Sequence, residues 1–175
     1  MKIRKGTAAD IDEIECLYNG LNDYLSQHEN YPGWKKDIYP IRQDAEDGIN
    51  EDALYVVTDN DRIAGTFILR HKPETAYYSV DWKNNLSYEE ILVIYTLAVH
   101  PDYFGNHIGD LIMNYIVNEA SERKMKAVRL DVYENNIPAI RLYEKHGFEY
   151  VDTVDLGYSQ YGLDWFRLYQ LILDI

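Results

Sequence analysis

The run Ile91–Val99, ILVIYTLAV, carries no charge and does not alternate apolar with polar residues. A strand with one wet face would alternate, so this one reads as a central strand covered on both faces. Pro101 ends its ladder. A loop with Gly105 and Gly109 then leads to Ile108, Leu111, Ile112, Tyr115 and Ile116, which step along one face of a helix. A buried strand feeding a helix in this way belongs to a layered α/β or α+β fold. The start of such a helix offers unpaired N–H groups and a partial positive charge, and glycines let an anion come close to the backbone. Alone, the loop would serve equally well as a plain connector.

The flanking sequence alternates strands and helices. Lys2–Lys5 reads as a first strand. Thr7 and Asp10 have capping-box spacing, and Ile11, Ile14, Leu17, Tyr18, Leu21 and Leu25 mark one helix face. Residues 31–40, YPGWKKDIYP, read as a loop and residues 41–50 as a short helix. Residues 53–58 and Arg62–Arg70 form a hairpin turning at Asp59, Asn60 and Asp61. Residues 71–90 are polar and aromatic, with no clear period. Val128, Leu130 and Val132 alternate as in a strand. In residues 134–148, ENNIPAIRLYEKHGF, Asn136 is an N-cap, Pro138 sits in the first turn and Gly147 stops the helix. Ala139 and Tyr143 are four apart and share a face. Residues 148–154 and 164–173 read as two closing strands.

The 175 residues suit a single domain over the whole chain. A formal charge of -13 argues against nucleic acid as a partner and would attract a cation, although it would also serve solubility alone. No run of 18 apolar residues occurs, so no membrane span is expected, and residues 1–10 lack a leader-like apolar stretch. The one cysteine, Cys16, allows no internal disulfide; a cytoplasmic setting is expected, with Cys16 as a packing residue. The five histidines are scattered, and no metal is expected.

Taken together, the strand–loop–helix and residues 134–148 resemble motifs A and B of the GNAT family of N-acetyltransferases. Motif A follows a Val-x-Pro strand end with Gln/Arg-x-x-Gly-x-Gly/Ala. Here these are Val99-His100-Pro101 and Phe104-Gly105-Asn106-His107-Ile108-Gly109. Motif B, Asn-x-x-Ala-x-x-x-Tyr and then Gly-Phe, is matched by Asn136, Ala139, Tyr143, Gly147 and Phe148. The resemblance implies a mixed, mostly antiparallel twisted sheet of about six or seven strands, flanked by about four helices and splayed between strands 4 and 5.

It also implies acetyl-CoA as cosubstrate. Backbone groups of Leu97, Ala98 and Val99 would bond the pantetheine arm in the splay, with an N–H near Ala98 stabilising the oxyanion. The amides of Gly105, Asn106, His107, Ile108, Gly109 and Asp110 would hold the pyrophosphate. Phe104 replaces the family's Gln or Arg and offers no side-chain bond to phosphate. His107 replaces a glycine, so that its Cβ crowds the loop or its imidazolium neutralises phosphate. Asn136, Ala139 and Tyr143 would contact pantetheine, and Tyr143 would protonate the leaving thiolate as general acid. Val93 stands where histone acetyltransferases of the family carry a glutamate. Glu89 and Glu90, just upstream, are candidate bases or plain solvated carboxylates. Tyr31, Trp34, Tyr39 and Tyr95 are candidate acceptor contacts, as are the aromatics of residues 71–90, and an aromatic, acidic cleft would suit a cationic primary amine, small or peptidic. Two alternatives stay open: a non-catalytic acyl-CoA-binding module, and an interaction protein keeping only the fold, such as a homodimer through the last strands.

Overall fold

The structure, a computed structural model, describes residues 1–173. In chain order the elements are β1 (Lys2–Lys5), α1 (Ile11–Gln27), α2 (Arg42–Asn50), β2 (Leu54–Asp59), β3 (Arg62–Arg70), β4 (Ile91–Val99), α3 (Ile108–Glu122), β5 (Ala127–Tyr133), α4 (Ile137–Lys145), β6 (Glu149–Val154) and β7 (Phe166–Ile172). The strands follow the sheet order β1-β2-β3-β4-β5-β7-β6. Pairs β1–β2, β2–β3, β5–β7 and β6–β7 are antiparallel. Pair β4–β5 is parallel, which needs a crossover, and α3 supplies it. This is the mixed sheet with four helices that the resemblance implied.

The β4–β5 register runs from Ile91↔Ala127 to Ile94↔Leu130 and, among the described residues, ends there. Both strands continue: β4 to Val99, and β5 along β7 as far as Tyr133↔Phe166.

The chain divides into two compact units. The first comprises Met1–Asn30, Trp34–Leu69 and Tyr95–Ile112; the second comprises Tyr31–Gly33, Arg70–Ile94 and the chain from Met113 on. In the first unit, Ile14, Leu17, Tyr18, Leu21 and Leu25 of α1 bury against Leu54, Val56, Ile63 and Ile68 of β2 and β3. The helical stripe read from the sequence is thus the core stripe. Asp10 fixes the entry to α1: its carboxylate accepts the Thr7 N–H at 2.7 Å and pairs with Arg4 at 2.8 Å. The Arg4 hydrogen bond is the main reason its pKa falls to about 2, with Thr7 adding to the effect. Cys16 corrects an expectation. It is exposed, because it falls off the buried stripe between Ile14 and Leu17.

In the second unit the alternation of Val128, Leu130 and Val132 holds, but Arg129 is buried as well. Its Nε bonds Gln170 Oε1 at 2.8 Å, Nη1 bonds the Tyr88 hydroxyl at 3.0 Å, and Nη2 bonds Asn84 Oδ1 at 2.9 Å. Its guanidinium also lies 4.0 Å from the centre of the Trp82 ring. These contacts order the segment that has no period in sequence. That segment contains the 3-10 turns Thr75–Ser79 and Tyr88–Glu90, with Tyr77 and Trp82 buried. Among the described residues, no helix is long and apolar enough to cross a membrane.

Candidate active site

In the part of β4 that belongs to the first unit, from Tyr95 on, Thr96 has a φ of +47°. A β-branched residue rarely takes this left-handed conformation, so strain is concentrated here. The Thr96 hydroxyl is hydrogen-bonded to the Tyr39 hydroxyl. Strict alternation would set Tyr95 on one face with Val93 and Leu97. Instead, Tyr95 packs against the α1 core that also holds Ala98, three residues on. The left-handed residue between them breaks the two-residue period, as a bulge does. Nothing in a β-branched threonine within an apolar run announces this.

The strand leaves the sheet at His100, whose N–H bonds Ala64 O at 2.9 Å. His100 Nδ1 accepts the Asp102 N–H at 3.1 Å and caps the 3-10 turn Pro101–Tyr103. Phe104 is 44% exposed and meets the Tyr24 ring edge-on at 5.2 Å. Gly105 has φ +80° and open space where a Cβ would stand. His107 also has a positive φ, +58°. Its backbone takes the shape a glycine would take, at a conformational cost, while its side chain is 83% exposed and points its Nδ1 at Asp110 Oδ2, 3.3 Å away. The α3 bonding begins with Leu111 N–H to His107 O at 3.1 Å. The N–H groups of Ile108 and Gly109 lie ahead of that bond, where a helix has no carbonyl to offer them. An open, left-handed loop ending in such a turn fits an anionic ligand through its backbone. The Asp110 carboxylate, faced by His107, is the one feature of the loop that opposes an anion.

Trp34 and Tyr39 meet edge-on at 5.5 Å, so the structure brings together Trp34, Tyr39 and the Thr96 bulge. Tyr31 is 41% exposed and belongs to the second unit.

In the second unit, Asn136 caps α4 by accepting the Ala139 N–H at 3.4 Å. Gly147, at φ +84°, ends the helix, and Phe148 N–H returns to Tyr143 O at 3.1 Å. Tyr143 is only 7% exposed, and its ring centre lies 6.2 Å from that of Phe148. Its hydroxyl makes no hydrogen bond among the described residues. Burial, with Asp131 adding to it, pushes the phenol well above the usual tyrosine range.

Asp131 escaped the sequence reading. It sits on β5, one residue past the last pair with β4. Its carboxylate accepts the Tyr77 hydroxyl at 2.7 Å. Burial, reinforced by Glu74 and only partly opposed by the Tyr77 bond, raises its pKa to about 7. Burial also raises Glu74. In the alternating pattern Asp131 falls on the polar parity and looks like a solvated residue; Tyr77, from the patternless segment, is what covers it. Of the two bases offered by sequence, Glu89 is exposed. Glu90 accepts the Ser87 N–H at 3.0 Å and the Ser87 hydroxyl at 3.3 Å, capping its own turn.

Comparison with known proteins follows the same lines. The family model described as Acetyltransferase (GNAT) family matches residues 16–148, well over half of the chain. An N-acetyltransferase of Methanocaldococcus jannaschii, itself uncharacterised, is 26% identical over 156 residues, which is 87% of this chain. The chain spans 62% of the length of that relative and 32% of a second curated one, from Bacillus subtilis. Among solved structures, a GNAT-family acetyltransferase of Streptococcus agalactiae superposes with a TM-score of 0.81 at 20% identity, covering 99% of this chain and 96% of that one. A ribosomal-protein-alanine N-acetyltransferase of Brucella melitensis superposes with a TM-score of 0.71 at 18% identity, covering 99% and 100%.

Proposed function

The chain belongs to the GNAT acetyltransferase family, and from that premise we propose that it moves an acetyl group from acetyl-CoA to a primary amine, small and cationic or peptidic. The transfer is direct, within a ternary complex, and Tyr143 is the general acid. One observation carries this reading: Tyr143 is buried at the motif B position, yet its hydroxyl bonds nothing among the described residues. The ring is packed away, while the hydroxyl oxygen is not among the sealed polar atoms, so its proton stays open to a ligand.

Each part has its task. Backbone groups of Leu97, Ala98 and Val99 bond the pantetheine amides, and an N–H in this stretch steadies the oxyanion. The left-handed Thr96 stands directly before that backbone. Amides of residues 105–110, other than Asn106, whose N–H donates to Tyr103 O at 3.1 Å, take the pyrophosphate without help from Phe104. Asn136 and Ala139 form the wall beside pantetheine. The neutral amine attacks the thioester carbonyl. As the C–S bond breaks, the sulfur takes the Tyr143 proton, and the phenol is replenished by the second proton leaving the nitrogen. Burial keeps the phenol protonated at neutral pH, so that the proton is always there to give. A phenol raised so far is a weak acid, and it donates only because charge builds on sulfur in equally dry surroundings. Trp34 and Tyr39 are proposed acceptor contacts.

The test is thiol release from acetyl-CoA in the presence of a panel of primary amines: polyamines, aminoglycosides and peptides with free N-termini. Amine-dependent release matched by acetylated amine is expected. Acetyl-CoA binding with no amine-dependent release from any of them would support the acyl-CoA-binding module instead.

A further inference from the structure

In the first unit, residues 34–40 meet the end of β4 through one side-chain hydrogen bond. The Tyr39 hydroxyl bonds the Thr96 hydroxyl, and Thr96 is the left-handed residue directly before Leu97, Ala98 and Val99. We propose that Tyr39 is a positioning residue: its hydroxyl holds Thr96 left-handed and so sets the backbone N–H that steadies the oxyanion. This inference rests on the acetyltransferase reading. It gives the Tyr39 hydroxyl a task separate from any contact that its ring makes with the acceptor.

Thr96 needs holding. A β-branched side chain disfavours φ +47°, and no glycine supplies the conformation here. Thr96 is only 8% exposed, so its hydroxyl has little water to turn to, and Tyr39 provides the bond. Without that bond the extended form is the easier one for this residue, and the two-residue period returns. The conformation reaches the backbone that follows. Ala98 packs in the α1 core three residues after Tyr95, which strict alternation would not allow. An extended residue at position 96 would exchange the faces of Leu97, Ala98 and Val99, and each N–H would turn with them. The far end of the stretch is fixed by β3. A Cβ on Gly65 would stand 3.0 Å from Ala98 O, and His100 N–H bonds Ala64 O at 2.9 Å. Tyr39 fixes the near end, and it is itself anchored. Its ring meets that of Trp34 edge-on at 5.5 Å, its N–H bonds Lys35 O at 3.0 Å, and its carbonyl accepts Asn22 Nδ2 of α1 at 3.3 Å. Asn30 Nδ2 in turn donates to Trp34 O at 2.7 Å. The hydroxyl is therefore presented from a braced frame and can impose a geometry on Thr96.

Tyr39→Phe removes one hydroxyl and keeps the ring, so the variant is expected to fold. Thr96→Val removes the bond from the other side and stays β-branched. Thr96→Gly also lacks the bond but takes φ +47° without steric cost. The experiment measures thiol release by wild type, by these three variants and by the double variant Tyr39→Phe with Thr96→Gly. An alanine-initiated peptide and Nα-acetyl-lysine amide serve as probe acceptors. Release by wild type with either probe upholds the acetyltransferase reading independently of Tyr39; release with neither overturns both. Given release, Tyr39→Phe and Thr96→Val should each lose about tenfold in kcat, while KM for the amine changes by less than about twofold. Thr96→Gly should keep more kcat than Thr96→Val, and adding Tyr39→Phe to it should cost less than about twofold more. Three results overturn the inference: a Tyr39→Phe that raises the amine KM at unchanged kcat, which would make the hydroxyl a substrate contact; equal losses in Thr96→Val and Thr96→Gly; or a Tyr39→Phe loss that is undiminished in the Thr96→Gly background.

Discussion

The loop of residues 104–110 and the helix α4 each carry a family motif, but they depend on their side chains to different degrees. The loop departs from its motif at Phe104 and His107, yet its backbone has the required form: left-handed at Gly105 and again at His107, with helix N–H groups ahead of Leu111. The helix matches its motif at every quoted position, and the chemistry proposed for it sits on one hydroxyl, that of the largely buried Tyr143. Where a ligand is held by main-chain groups, side chains can drift; where a proton must move, the side chain is the mechanism. A substitution in the loop should therefore change affinity, and one in the helix should change turnover.

The largest effect expected is on the helix side. Tyr143→Phe should lower kcat by about 10²–10³-fold while leaving acetyl-CoA affinity within about twofold, read from steady-state rates beside a calorimetric titration. A fall in affinity that accounts for the whole loss would erase the contrast between the regions. On the loop side, Gly105→Val places a β-branched residue at φ +80°. It should weaken acetyl-CoA binding about tenfold and leave kcat at saturation nearly unchanged. His107→Gly should raise stability by about 1 kcal/mol by relieving a positive φ, as measured by chemical unfolding, with acetyl-CoA affinity maintained. A clear loss of affinity would mean that the imidazole neutralises phosphate. Phe104→Arg restores a phosphate partner at an exposed position and should tighten binding about threefold, the gain fading as salt is added.

The same contrast explains what could be read from the sequence. The stripe Ile14, Leu17, Tyr18, Leu21 and Leu25, the run Ile91–Val99 and the caps at Asn136 and Gly147 are local patterns, and each gave its element to within a few residues. Tyr143 was singled out because, with Asn136 and Ala139, it matches motif B; helix spacing alone places it only on a face with Ala139. Thr96 was not, because a strand former gives no local sign of a left-handed backbone imposed from outside. Tyr95 followed from an alternation that the same residue breaks. Arg129 and Asp131 were hidden for a third reason. Each sits in a strand that looks half-solvated, and each is covered by the Tyr77–Tyr88 region, whose order comes from contacts far along the chain. Long-range burial of a polar residue leaves no periodic trace.

The most direct test of the account is a single-turnover experiment. Protein loaded with acetyl-CoA is mixed with an accepted amine, and free thiol and acetylated amine are followed together, the latter by mass. Direct transfer predicts that both rise at one rate and that no acetyl group appears on the protein at any time. Thiol released ahead of acetylated amine, or an acetylated form of the chain that decays as product grows, would contradict it.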